Sequence, residues 1–113
     1  MTQLIIPVSQ TTGASRFKVS VHIQAEVLSA QVVRQQANVW LLENVGNLLR
    51  AASPELVLGD QLIWRIDVML TSPTRGEIGR VGQVEIEATT GEVLANDTLI
   101  QEITSRAHAL AAS

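Results

Sequence analysis

The sequence predicts an α+β fold: an antiparallel sheet of about four strands, with a long helix and a C-terminal helix packed on one face. Three observations lead there. QLIWRIDVML and EIGRVGQVEIEA alternate apolar and polar residues, the period-two pattern of half-buried strands. AQVVRQQANVWLLENVGNLLRAA instead repeats its apolar residues every three or four positions, the period of a helix with one buried stripe. TSPTRG between the strands and TTG after the second are turn-rich segments that suit hairpin connections.

At the start of the chain, LIIPV at 4–8 suits a short strand, and Pro7, lacking an N–H, confines it to a sheet edge. SQTTGAS follows as a turn or link, so residues 1–16 read as an edge strand plus link within a single domain, 1–113. Phe17, Val19, Val21 and Ile23 alternate with Lys18, Ser20, His22 and Gln24, a half-buried strand that extends toward Leu28. Ser29 can cap a helix whose face comprises Val33, Ala37, Trp40, Leu41, Val45, Leu48 and Leu49. Gly46 marks close packing or a break in it, and Pro54 ends it or starts a separate turn.

In the next strand Leu62, Trp64, Ile66, Val68 and Leu70 face the core, with Gln61, Arg65 and Asp67 opposite. In the following one Ile78, Val84, Ile86 and Ala88 face inward, with Gln83, Glu85 and Glu87 toward water. Gly82 falls on the apolar face, which suggests a bulge or a bed for Trp64 or Trp40. Gly91 can take the positive φ of a three-residue hairpin, with Glu92, Val93 and Leu94 returning as a short strand. Thr98 and Gln101 fit a capping box for the last helix, whose core residues are Leu99, Ile103, Ala107 and Leu110.

Composition narrows the function. A chain of 113 residues with 46% apolar and 17% charged residues builds one core and is not a disordered segment. A net charge of −3, one Phe, two Trp and no Tyr offer neither attraction to phosphates nor a row of stacking aromatics, so no nucleic acid is expected. The absence of cysteine removes disulfides, thiol nucleophiles and thiolate-bound metals. No basic residue precedes LIIPV, and no apolar run approaches the ~20 residues of a membrane span. The expected setting is cytoplasmic, without a membrane.

Chemistry is sparse. His22 and His108 lack a partner at ligand spacing, GEIGRVG is not a phosphate loop, and no G-x-S-x-G elbow occurs, so neither metal nor cofactor is expected. Glu85 and Glu87 share a strand face with Asp67 near. Paired carboxylates can divide acid and base roles in a cleft, but on a hairpin's solvent face they face water or pair with Arg65 and Arg80.

VEIEATTGEVL, an alternating strand followed by T-G-E-V, resembles the strand-turn signature of PepSY-type domains. The context over roughly residues 29–95 is similar too: a helix upstream, then the Trp-bearing strand IWRIDV, then this strand and turn. Glu87-Ala88 stands where PepSY domains usually carry Asp-Ala. The resemblance implies a non-catalytic domain with a proposed role in inhibiting or regulating peptidases, in a family that is typically exported or membrane-attached.

The expectation is a non-catalytic protein-binding or regulatory domain that pairs with itself or with another protein, as an antitoxin-like or regulatory partner would. Peptidase inhibition is one alternative, and a small enzyme using Asp67, Glu85 and Glu87 is another. The candidate interaction surface is Leu4, Ile5 and Ile6 at the start, Leu56, Val57 and Leu58 in ELVLGD, and Arg75 and Arg80 around the TSPTRG turn. Its apolar segments either complete the monomer's own core or meet another chain.

Overall fold

A computed structural model describes residues 24–112. Helix α1 (Ala30–Asn44) starts where the sequence predicts, with the Val32 N–H donating to the Ser29 hydroxyl at 3.2 Å, and it buries Val33, Ala37 and Leu41. It ends earlier than its periodicity suggests. The Asn44 carboxamide donates to the Trp40 carbonyl, and the N–H groups of Val45 and Gly46 both donate to the Leu41 carbonyl, which closes the last turn. The chain then enters β1 (Leu49–Ala51), so the apolar Leu49 is satisfied by a sheet instead of a helix. At 15 residues α1 equals α2 (Asp97–Ala111) and is not the longer helix expected.

The remaining strands are β2 (Glu55–Leu58), β3 (Leu62–Ser72) and β4 (Gly76–Glu87). β3 is central: β1 and β2 lie in line along one side of it and β4 along the other, all antiparallel. Ala51 opposes Val68 and Glu55 opposes Arg65, which leaves Ser53 and Pro54 together opposite Ile66. This bulge places the proline where no ladder N–H is needed. Among the described residues the sheet has four strands. The strands expected at 4–8 and 17–23 lie outside the described residues, while β1 and β2 come from segments read as helix end and connection.

Two irregularities in β4 position α2. Val68 opposes Gly82 while Met69 opposes Arg80, and Leu70 opposes Gly79 while Thr71 opposes Glu77, so Val81 and Ile78 are the extra residues. A Cβ on Gly82 would lie 2.8 Å from Ile103 Cγ1, and one on Gly79 would lie 2.9 Å from Leu110 Cδ2. The bulge falls at Val81, next to Gly82, and the bed at Gly82 is for Ile103 and not for either tryptophan. Both helices cover the same sheet face, where Val33, Ala37, Leu41, Ile66, Val68, Val84, Ile86 and Ile103 form the buried core. The N-cap of α2 is Asn96, whose side chain accepts the Leu99 N–H at 2.9 Å, two residues before the expected Thr98.

The TTG segment forms a return with Gly91 at φ 79°. Glu87 N–H donates to the Glu92 carbonyl and Leu94 N–H to the Glu85 carbonyl, with Val93 opposite Ile86. The loop spans four residues, 88–91, and not three, because the backbone of Ala88 is used elsewhere. Its N–H donates to the Leu62 carbonyl and its carbonyl accepts the Leu28 N–H.

Candidate functional site

The two halves of the β1–β2 side of the sheet treat their outer edge differently. At β1, Ala51 points its main-chain groups away from β3, and side chains of α1 receive both: Asn38 Oδ1 accepts the N–H at 2.9 Å and Arg34 Nε donates to the carbonyl at 3.0 Å. Such capping closes an edge that could otherwise pair with another chain.

At β2 no described residue does this. The Ala52 N–H donates to the Asp67 carbonyl and the Gly59 N–H to the Gln61 carbonyl. Together with the register of Glu55 on Arg65 and Val57 on Ile63, these bonds place Glu55 and Val57 as the residues bonded to β3. The main-chain groups of Leu56 and Leu58 therefore point outward. Their side chains lie on the helix-bearing face, level with Trp64 and Leu62, and remain 48% and 46% exposed. They line a groove of about 220 Å³ with Ala25, Val27 and Leu62. Trp64, opposite Leu56 in the ladder, donates its indole N–H to the Leu28 carbonyl at 2.9 Å.

The structure thus places Leu56, Val57 and Leu58 on an edge that no other described strand pairs, Val57 on the opposite sheet face beside Ile63. Leu4, Ile5 and Ile6 lie outside the described residues. Arg75 is exposed in the β3–β4 turn, at the other end of β3 from β2. Arg80 donates to Asp67 Oδ1 at 3.0 Å across the solvent face. Neither arginine joins the leucine patch. Ala25, Val27 and Leu62 were not foreseen as part of it. Alternation had placed Leu62 on the core face, and nothing local says that this end of the face stays open.

The carboxylates behave as solvent-face groups. Hydrogen bonds from Gln83 and Arg80 hold Asp67 below the usual aspartate range, and those from Thr89 and Thr90 do the same for Glu87. Glu85 pairs with Arg65 at 3.5 Å. Asp67 and Glu87 are shifted opposite to a general acid that must hold its proton near neutral pH. A groove of about 260 Å³ between β4 and α2 is lined by Arg80, Gln83, Glu85, Glu102 and Arg106 among others. His108 lies in the last turn of α2, beside a cleft of about 180 Å³ that also includes Leu48, Leu49 and Leu70, and His22 lies outside the described residues. Among the described residues no three His, Asp or Glu side chains are placed to hold a metal ion. Comparison with protein families, with curated proteins and with solved structures finds no match to this chain.

Proposed function

We propose that this chain is a non-catalytic protein-binding module of regulatory type, which receives an extended segment of its partner along the outer edge of β2. One observation carries the reading. In a single row of the sheet, the outward groups of Ala51 in β1 are sealed by two side chains, whereas among the described residues nothing pairs the outward main-chain groups of Leu56 and Leu58 in β2, two half-exposed leucines. Strand addition uses both features: main-chain hydrogen bonds supply affinity, and the groove beside Leu56 and Leu58 selects apolar side chains. Among the described residues no helix is long and apolar enough to cross a membrane. The resemblance of VEIEATTGEVL to PepSY-type domains supports peptidase inhibition as the alternative reading.

The test is a capture from native lysate with the full chain as bait, with the bound proteins identified by mass spectrometry and compared with capture by Leu56→Pro. That substitution removes the outward N–H without touching the ladder to β3. The expected result is a stoichiometric partner held by the wild type, lost with the variant and regained on mixing the purified proteins. A peptidase that loses activity on binding makes the chain an inhibitor, and a nuclease or other toxin makes it an antitoxin-like partner. Equal capture by Leu56→Pro overturns the role of the β2 edge.

A further inference from the structure

Resting on that reading, we infer that the strand the β2 edge fits is β2 of a second copy, paired antiparallel about a two-fold axis through Val57. A two-fold interface must be complementary to itself. The main-chain pattern meets this condition. Leu56 and Leu58 are the outward-facing residues. A two-fold axis at Val57 sets Leu56 against the partner copy's Leu58 and Leu58 against its Leu56. Both are hydrogen-bonded pairs, and Val57 meets its own copy as the non-bonded pair between them. Shifting the register by one residue would set outward groups against inward ones, so parity excludes the neighbouring registers.

Side-chain chemistry agrees with this register. On the helix-bearing face, the four half-exposed leucines of the two copies would merge into one apolar patch and cover the grooves lined by Ala25, Val27 and Leu62. On the other face Val57 meets Val57. Glu55, the charged residue of β2, falls opposite Gly59 of the second copy, so no like charges oppose one another in the ladder. At β1 the same pairing is blocked, because Asn38 and Arg34 already occupy the edge. Only residues 56–58 of β2 pair with β2 of the second copy, a short seam, and the dimer therefore dissociates on dilution.

The chain contains no cysteine, which gives a register-specific test. Across a non-bonded antiparallel pair the Cα atoms lie about 4.5 Å apart, within disulfide range, whereas Leu56 and its own copy would be diagonal neighbours at about 7–8 Å. Full-length Val57→Cys is expected to cross-link to a dimer under mild oxidation and Leu56→Cys to remain largely monomeric. Light scattering should show a wild-type mass that rises from monomer to dimer with concentration, and Leu56→Pro should stay monomeric throughout. Equal cross-linking of the two cysteine variants overturns the register. A wild type that stays monomeric and a Val57→Cys that does not cross-link overturn self-pairing altogether. In that case a partner captured by the wild type and lost with Leu56→Pro would leave the strand-binding edge standing, and no such partner would remove both.

Discussion

Gly79 and Gly82 both lie beneath α2, yet they meet different kinds of neighbour. A methyl group on Gly82 strikes Cγ1 of the fully buried Ile103, while one on Gly79 strikes the end of the longer, partly buried Leu110. Gly82→Ala is expected to destabilise by about 1–3 kcal/mol. Gly79→Ala should cost less than about 1 kcal/mol, because Leu110 can rotate away and the unfolded chain loses entropy. Urea unfolding of both variants checks the order, and the Gly82 effect should shrink in an Ile103→Ala background. Asp67 gives a pH signature at the same scale. Its folded pKa is depressed, first by Gln83 and then by Arg80, so the folded state holds fewer protons than the unfolded one. The resulting stabilisation is present above the ordinary aspartate value of about 3.9 and is lost as pH falls through and below it. Because the carboxylate is 45% exposed, the effect is modest. The urea-midpoint difference between wild type and Asp67→Asn should therefore narrow between about pH 6 and about pH 3. The facing pattern of Asp67 and Gly82 was legible in the alternation. Their partners were not, since the bulges at Val81 and Ile78 decide which residue of β4 lies under which residue of α2.

At the scale of elements, the junction between α1 and β1 shows how tertiary contacts override periodicity. Leu48 and Leu49 continue the helical spacing of Val45 and Leu41, so the sequence reads as one helix. Asn44 and Gly46 close that helix early, and β1 is then held on both sides, by β3 through the ladder and by α1 through Asn38 and Arg34 at Ala51. Asn38→Ala should leave the buried Ala51 N–H without its acceptor and destabilise by about 1–3 kcal/mol. Hydrogen exchange at the Ala51 amide should quicken more than at amides of β4, which share no partner with Asn38. Equal exchange across the sheet would show that Asn38 does not guard this edge. The turn at 88–91 is the opposite case. Glu87, Thr89, Thr90 and Gly91 are close in sequence and form their contacts among themselves, so the return was readable from the local pattern.

For the whole molecule, the proposed self-pairing at β2 predicts a stability that depends on concentration. A folded dimer in exchange with monomer gains stability by mass action, so the wild-type Tm should rise with protein concentration while that of Leu56→Pro stays constant. A wild-type Tm independent of concentration would contradict self-pairing. By itself the sequence determined the α+β class, the two long strands, the inward face of each, the places of both hairpin turns and the start of α1. Each of these depends on residues within one or two turns of chain, where period, capping and glycine conformation act directly. Only the tertiary structure decided where α1 stops, that β1 and β2 flank β3 in line, that α2 settles on two glycines, and which half of an edge is sealed. Those outcomes depend on residues far apart in sequence, Asn38 with Ala51 and Gly82 with Ile103, whose meeting is set by register and bulges and leaves no local mark.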